Sequence, residues 1–170
     1  QRDGVNSNLT RFEYNGNTRI STNRNGDRSI RVFDDNGMLI KYVNENGNEK
    51  TYTYDDCGNV ISEADALGNI IKKEYNEFNW LTSQTDKNGN KTSYTYDTAG
   101  NITKIIYPTQ NGIAPEESFE YNTSNQLLKH IDLRGTITLY TYGSSGMPLT
   151  KKVGNKNAIQ YEYSNGRVIS

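Results

Sequence analysis

The chain has 170 residues, 23% of them charged, with a formal net charge of −1. Hydrophobic residues make up 32%, and counting the 15 glycines in place of the 13 tyrosines leaves about 33%, against roughly 45–50% in ordinary globular domains. A deep single core is therefore not expected. The charge gives no electrostatic reason to bind nucleic acid or an anionic membrane, and no apolar run approaches the roughly 20 residues of a membrane-spanning helix.

An aromatic residue followed by a turn recurs along the whole sequence, at intervals of 19, 21, 21, 21, 25, 21 and 21 residues. A fixed period of this kind is typical of repeat proteins, in which each unit packs only against its neighbours. The aromatic residues are Tyr14, Phe33, Tyr54, Tyr75, Tyr96, Tyr121, Tyr142 and Tyr163.

The residues after each aromatic position predict a tight turn. Asp or Asn follows directly in most copies, as in Asp55 and Asp97, and a Gly or Asn comes a few residues later, as in Gly58 and Asn79. Asp and Asn cap turns through their side-chain oxygens, and Gly and Asn accept a left-handed backbone at low cost. We expect a strand to end at each aromatic residue.

A second turn falls between successive copies of the first, marked by glycine. Subtracting both turns leaves strands of about 6 or 7 residues, a common strand length, and no stretch has the length and 3.6-residue pattern of a helix. The fold class is therefore predicted as all-β, a twisted antiparallel meander of tandem repeats. The glycines are Gly26, Gly47, Gly68, Gly89, Gly112 and Gly135.

Alternation within the strands predicts which side chains share a face. A second aromatic residue often lies two positions before the first, as in Tyr52 and Tyr94. Because side chains alternate with period 2, the two aromatic columns point the same way and stack across repeats. A column of mostly apolar residues follows the first turn: Thr18, Leu39, Val60, Leu81, Ile102, Leu127, Pro148 and Val168.

Two departures from the period are informative. Four extra residues fall in the stretch 107–118, which holds Pro108 and Pro115, and proline cannot donate to a strand ladder. We expect a protruding hairpin loop there, either a tolerated insertion or a binding loop. The turn after Tyr14 is two residues shorter than the others, which explains the interval of 19.

The sequence offers no catalytic, cofactor-binding or metal-binding residues. Cys57 lies in a turn beside acidic residues and has no activating neighbour, and His130 has no partner set for nucleophilic or zinc chemistry. The turn 86–90, Asp-Lys-Asn-Gly-Asn, superficially resembles a calcium loop but lacks the terminal bidentate Glu. We therefore expect no enzyme and no cofactor, with a calcium-binding turn array as a minor alternative.

The repeat unit, written out as Tyr-Thr-Tyr-Asp-Asp-Cys-Gly-Asn-Val-Ile (52–61) and Tyr-Thr-Tyr-Asp-Thr-Ala-Gly-Asn-Ile-Thr (94–103), resembles that of the Rhs/YD-repeat family. The resemblance covers nearly the whole chain. It implies a spiralling β-sheet that forms part of a hollow shell, as in bacterial polymorphic toxins and insecticidal toxin complexes, with related shells in teneurin receptors. No segment matches the aspartate-based self-cleavage site of the family's toxins.

This resemblance gives the functional expectations. Residues 1–170 are expected to be one array of about seven repeats, part of a longer secreted or surface-exposed bacterial protein, and to act as a non-catalytic structural or encapsulating module. The expected partner is a toxin domain or other cargo of the same parent chain. Nucleic-acid binding and membrane insertion are not expected.

An alternative function is a carbohydrate- or cell-surface-binding module that stacks exposed tyrosines on sugar rings. Tyrosine suits both packing and stacking, but one ring cannot be fully packed and also available to a ligand. Burial of the tyrosine column, Tyr54 to Tyr142, distinguishes the two. We also expect edge-to-edge self-association, because an unpaired strand edge templates pairing with another chain.

Overall fold

The computed structural model of the protein describes residues 10–164 and 167–169. No helix occurs among these residues, and the all-β prediction is confirmed. Strands β1 to β15 form one sheet in which the strand order follows the sequence, and β16 pairs with β17 in a separate two-stranded sheet. The strands are β1 (Arg11–Asn15), β2 (Thr18–Thr22), β3 (Arg28–Phe33), β4 (Leu39–Val43), β5 (Glu49–Tyr54), β6 (Val60–Asp65), β7 (Ile70–Tyr75), β8 (Leu81–Thr85), β9 (Lys91–Tyr96), β10 (Ile102–Ile106), β11 (Glu116–Tyr121), β12 (Leu127–Ile131), β13 (Ile137–Tyr142), β14 (Pro148–Val153), β15 (Ile159–Gln160), β16 (Tyr163–Ser164) and β17 (Arg167–Val168).

The chain divides into two compact units by its internal contacts. The first comprises Gln1–Asn79 and Gln84–Gly89, and the second comprises Trp80–Ser83 and Asn90–Ser170. Each unit is built from the same kind of antiparallel hairpin.

The turns use an Asp or Asn side chain as an internal brace. In the turn after β5, the N–H of Gly58 donates to the carbonyl of Asp55 at 3.0 Å, and Oδ1 of Asp55 accepts the N–H groups of Cys57 and Asn59 at 3.0 and 2.8 Å. Gly58 has φ +86°, as a type I turn closed by a left-handed residue requires. The same brace recurs at both kinds of turn, at Asn23, Asp34, Asn44, Asp65, Asp97, Asn122 and Asp132.

These hydrogen bonds also favour the ionised carboxylate. The side-chain amide of Asn59 is the main cause that lowers the pKa of Asp55, and Asn69 and Asn101 act in the same way on Asp65 and Asp97. A lowered pKa in the folded state means that the turns contribute stability above the ordinary carboxyl pKa. That stability is lost as the pH falls through the folded-state value.

The two irregular connections fit the sequence expectations. Asn15 pairs with Thr18 across a two-residue turn at Gly16 and Asn17, the shortened turn. In the inserted loop between β10 and β11, Gln110 and Ile113 exchange backbone hydrogen bonds of 2.7 and 3.0 Å. The two residues between them, Asn111 and Gly112, have φ of 51° and 80°, the left-handed pair of a type I′ turn. The insertion is therefore a small hairpin of its own.

Pairing is complete within each repeat hairpin and incomplete between hairpins. Within the β5–β6 hairpin, pairs run from Lys50–Asp65 to Tyr54–Val60 with a bulge just before the tyrosine. Between β4 and β5 the register covers only three pairs, ending at Lys41–Thr51. The backbone around Leu39 thus lies beyond the last ladder pair between these strands, where its carbonyl needs another donor.

The tyrosine column supplies that donor. The hydroxyl of Tyr54 donates to the carbonyl of Leu39 at 2.7 Å, and Tyr96 donates in the same way to Leu81 at 2.7 Å. Each bond joins a tyrosine to the residue 15 positions earlier, at the start of the preceding strand. The other members of this set are Tyr75 to Val60, Tyr142 to Leu127 and Tyr163 to Pro148.

Phe33 occupies the tyrosine position in β3, and the strand pairing there differs from that at the other repeats. It has no hydroxyl, and here β2 and β3 pair along their whole length, from Thr22–Arg28 to Thr18–Val32. The N–H of Phe33 continues this ladder by donating to the carbonyl of Asn17 at 2.8 Å. Backbone pairing thus satisfies this end of the ladder without a side-chain donor.

A second row of contacts joins successive first turns. From Gly37 to Asn125, the residue after each left-handed first-turn residue reaches the left-handed residue of the next first turn, whereas the earlier Asn17 donates to Asp35 at 2.9 Å. Where that residue is glycine, a larger side chain covers it: a Cβ on Gly58 would lie 2.9 Å from Met38, and one on Gly100 would lie 2.9 Å from Trp80. Where it is asparagine, an amide pair forms, Asn59 to Asn79 at 2.8 Å and Asn101 to Asn125 at 2.9 Å.

The described residues contain no fully buried hydrophobic side chain. The only buried residues among them are Ser29 and Ser83, which are 2% and 3% exposed. The aromatic and apolar columns are half-buried for the most part, because a single layer of sheet covers each side chain from its own face only. The expectation that no deep core forms is confirmed for this part of the chain.

The contribution of a tyrosine hydroxyl to stability can be measured by replacing the tyrosine with phenylalanine, which removes one oxygen atom. We expect Tyr96→Phe to lower the free energy of unfolding by about 0.5–1.5 kcal/mol, because the Leu81 carbonyl loses its donor. Tyr14→Phe is the matched control: Tyr14 is 71% exposed, and its change should be within about 0.5 kcal/mol. Urea denaturation measures both. Equal stability of Tyr96→Phe and wild type would contradict the role of the hydroxyl.

The contribution of the contacts between successive first turns to stability can be tested with two glycines that share a backbone conformation. Gly89 and Gly100 have φ of 85° and 88°, but a Cβ on Gly89 would meet nothing within 4 Å, whereas on Gly100 it would meet Trp80. Gly89→Ala should cost about 1–2 kcal/mol for the left-handed backbone alone. Gly100→Ala should cost a further 1–3 kcal/mol or so for overpacking. Equal losses in thermal denaturation would show that the Trp80 contact carries no energy.

Candidate functional site

The tyrosine column is the first candidate surface, and it is engaged in packing. Tyr54, Tyr75, Tyr96, Tyr121 and Tyr142 are all half-buried, and burial raises the pKa of each hydroxyl. Four of the five hydroxyls donate to backbone carbonyls, as described above. The ring of Tyr96 also contacts that of Trp80, with centroids 5.3 Å apart. These tyrosines therefore contribute to the packing between neighbouring hairpins.

A groove beside Tyr42 is the second candidate. It has a volume of about 350 Å³ and is lined by Tyr42, Asn44, Asn48, Glu49, Lys50, Asp65, Ala66 and Leu67. An aromatic ring among Asn, Asp and Lys side chains is the composition of a simple sugar subsite. The guanidinium of Arg31, however, lies over the Tyr42 ring, 4.8 Å from its centroid, so that one face of the ring already has a partner.

The polar groups of this groove are also occupied. Lys50 donates to Glu63 at 2.6 Å, which is the main cause that raises the pKa of Lys50. Asp65 accepts the backbone N–H groups of Leu67 and Asn69. A ligand would have to compete with these bonds, so the groove offers shape but few free hydrogen-bonding groups.

A cluster at the base of the inserted loop is the third candidate, and the sequence analysis did not find it. Glu117 lies between two partners: the hydroxyl of Tyr107 donates to its Oε1 at 2.8 Å, and its Oε2 is 2.6 Å from Nε2 of His130. The imidazole stacks on Phe119 with centroids 4.7 Å apart. The hydrogen bond to Glu117 is the main cause that raises the pKa of the Tyr107 hydroxyl.

This cluster fastens the inserted loop to the sheet. Tyr107 opens the loop, while Glu117 and His130 lie on the paired strands β11 and β12. No single stretch of sequence signals the cluster, because it forms only through the register that pairs Phe119 with His130. Both carboxylate oxygens of Glu117 are held by these partners.

The remaining candidates from the sequence lie apart from one another. Cys57 is exposed in its turn. Oδ1 of Asp86 accepts the N–H of Asn88 at 2.8 Å, the same brace as in the other turns, which accounts for the Asp of the calcium-like segment. Within residues 10–164 and 167–169, no group of three or more His, Cys, Asp or Glu is placed to hold a metal.

Exposed apolar side chains occur both in turns and in strands. The most exposed lie in turns or loops: Leu67, Phe78, Ile113 and Leu133 are 88%, 61%, 72% and 52% exposed. Others lie in strands, as Ile137 and Leu139 of β13 do at 42% each. The described part of the chain has no helix of the length and apolar character needed to span a membrane.

Comparison with solved structures identifies the architecture. The chain is similar to the TcdB2-TccC3 complex, with a TM-score of 0.58 and 14% identity over 88% of this chain and 12% of that one. It is also similar to TcdB2-TccC3-Cdc42, with a TM-score of 0.52 and 14% identity over 94% and 12% of the two chains. A Photorhabdus luminescens Tc holotoxin pore matches with a TM-score of 0.53 and 15% identity over 88% and 11%. The chain spans about an eighth of the length of these neighbours.

The family comparison agrees with the repeat pattern. The sequence matches no curated protein. Residues 33–70 and 75–111, however, match the RHS Repeat family model, and these two segments contain the Tyr-Asp turns, the braces and the tyrosine hydrogen bonds of β3 to β10. The periodic aromatic-turn unit, the open antiparallel meander and this match together show that residues 33–70 and 75–111 are Rhs repeats, and the same unit recurs along the rest of the chain.

Proposed function

We propose that this chain is a wall segment of a shell that encloses a toxin domain or other cargo of the same parent chain. The parent is proposed to be a secreted or surface-exposed bacterial protein, and residues 1–170 to be a single, non-catalytic part of its array. The structural neighbours come from toxin complexes, and they supply the class of protein in which such a wall is used.

The observation that carries this proposal is that the side chains form their contacts within the array itself. Tyrosine hydroxyls, turn carboxylates and the Met38 and Trp80 side chains all contact the adjacent repeat or their own turn. A binding module would keep some aromatic faces and polar groups free for its ligand. A sheet one layer thick, with half-exposed residues on both faces, suits a partition between an interior and the solvent.

Limited proteolysis of the full parent chain tests the proposal. The domain proposed as cargo should be cleaved at least about tenfold more slowly within the parent chain than when it is expressed alone, because protease access then requires the wall to open. The proposed cargo domain should be cleaved faster in a parent chain that carries Gly100→Ala than in one that carries Gly89→Ala. Equal cleavage rates with and without the array would contradict enclosure.

Carbohydrate binding is the alternative, and the groove beside Tyr42 is the feature that favours it. Titration calorimetry of the chain with soluble oligosaccharides distinguishes the two functions. Saturable binding that is lost in Tyr42→Ala, in a parent chain whose cargo is not protected, would support a surface-binding module in place of the shell.

Self-association through the end strands is a further part of the proposal. The sequence predicted free edges around Asn8 to Tyr14 and around Val168 to Ser170. Asn8, Leu9 and Ser170 lie outside the described residues, and Val168 lies in the separate β16–β17 pair, so the end strands of the large sheet are β1 and β15. Phe12, Tyr14 and Ile159 on these strands are 45%, 71% and 54% exposed. Unpaired edges with exposed apolar side chains favour pairing with another chain.

Analytical ultracentrifugation of the chain tests this part. We expect reversible association that grows with concentration and weakens in Ile159→Lys, since a charged edge residue opposes pairing. Cys57→Ser should associate as the wild type does, which separates edge pairing from disulfide formation. A strict monomer at the highest soluble concentration would contradict edge pairing.

A further inference from the structure

The chain carries an unusual number of Asn-Gly dipeptides, and their backbone environments differ. Six lie wholly within the described residues: Asn15, Asn25, Asn36, Asn46, Asn88 and Asn111, each followed by glycine. An Asn-Gly pair is chemically reactive because the glycine nitrogen can attack the Asn side-chain amide and no Cβ obstructs it. The reaction needs that nitrogen to be free and the backbone to adjust.

Four of the six glycine nitrogens are engaged. The N–H groups of Gly26, Gly37, Gly47 and Gly89 donate to carbonyls three residues earlier, at 3.1, 3.0, 3.0 and 3.0 Å. The N–H of the preceding asparagine is also held, by the side-chain oxygen that braces the turn. Two hydrogen bonds thus fix each of these dipeptides.

The other two dipeptides lack this protection. Neither Gly16 nor Gly112 donates a backbone hydrogen bond to any described residue. Both follow an exposed asparagine, and both occupy the two-residue turns that replace the braced turn. The irregularities of the repeat therefore coincide with the unprotected dipeptides.

We propose that Asn15 and Asn111 are sites of spontaneous deamidation, at which the folded chain acquires aspartate and isoaspartate. The glycine nitrogen forms a bond to Cγ of the asparagine, and the side-chain nitrogen leaves as ammonia with the proton from the glycine N–H. Water then opens the cyclic imide at either carbonyl. The net reaction consumes one water and releases one ammonia, with no oxidant or cofactor.

The modification changes the charge and geometry of the inserted loop. Asn111 lies at the tip of the small hairpin, two residues before the exposed Ile113 and away from the Glu117 cluster at the base. A carboxylate there adds a negative charge, and isoaspartate lengthens the backbone by one methylene. The turn, in which Asn111 now has a left-handed φ of 51°, would have to adopt a new backbone conformation to accommodate the isoaspartyl linkage.

Peptide mapping by mass spectrometry after incubation at mildly alkaline pH tests this inference. In the folded chain, Asn15 and Asn111 should deamidate at least about tenfold faster than the other four, since breaking even one net hydrogen bond corresponds to roughly that factor. In concentrated urea the six rates should converge, because each dipeptide has the same chemistry. Six similar rates in the folded chain would overturn the proposal.

A variant tests the protective role of the brace. The turn from Gly143 to Met147 keeps both backbone hydrogen bonds without a side-chain brace, so Asp34→Gly is expected to fold. We expect the deamidation rate of Asn36 to rise several-fold relative to that of Asn46 in the same digest. An unchanged ratio of the two rates would show that the brace does not control the reaction, and would overturn this account of why Asn15 and Asn111 differ.

Discussion

The structure depends on one recurring interaction, the hydrogen bond from a tyrosine hydroxyl to a backbone carbonyl of the preceding repeat. Neighbouring hairpins of the array pair through only a few residues at one end, and at the other end their backbones need partners that the ladder does not supply. A tyrosine is long enough to cross that space, and its ring covers part of the apolar column on the way. A leucine in its place could fill space but could not donate.

This interaction explains how a sheet with no buried hydrophobic side chains in its described part can hold a defined shape. In an ordinary domain the free energy comes chiefly from a core covered on all sides. Here it comes from many half-buried contacts repeated at each step, supplemented by braced turns. The contacts between successive first turns make neighbouring repeats specific for each other. Met38 and Trp80 cover a glycine in the next turn, whereas Asn59 and Asn101 bond to an asparagine.

The sequence predicted the parts of the fold that are local. Alternating Tyr52 and Tyr54, the Asp55 brace and Gly58 are short-range signals, and each specifies a strand or a turn without reference to the rest of the chain. The sequence also predicted that the aromatic residues share columns on one face, because side chains alternate with period 2. The two-residue turn and the inserted loop were visible as changes of period.

What the sequence could not show was how side chains meet across repeats. The link from Tyr54 to Leu39 depends on where pairing stops, and the cluster of Tyr107, Glu117 and His130 depends on the register across the insertion. The expected turn capping by Asp was correct. The partial burial of the tyrosines answered a question that composition had left open, because tyrosine is equally suited to a wet surface and to a packed interface.

The constant spacing of the links between repeats has a consequence for how such a protein can evolve. A bond that always reaches back 15 residues, and a turn contact that always reaches forward about one repeat, never involve a distant part of the chain. Duplication or loss of a whole unit in the gene would leave each tyrosine bond with a backbone carbonyl as its partner, whereas the turn contacts alternate between glycine and asparagine partners and keep their match only when two successive units change together. The array can therefore change its length by recombination in steps of two units, and in the proposed shell such steps would adjust the enclosed volume to the size of the cargo without redesign of any one contact.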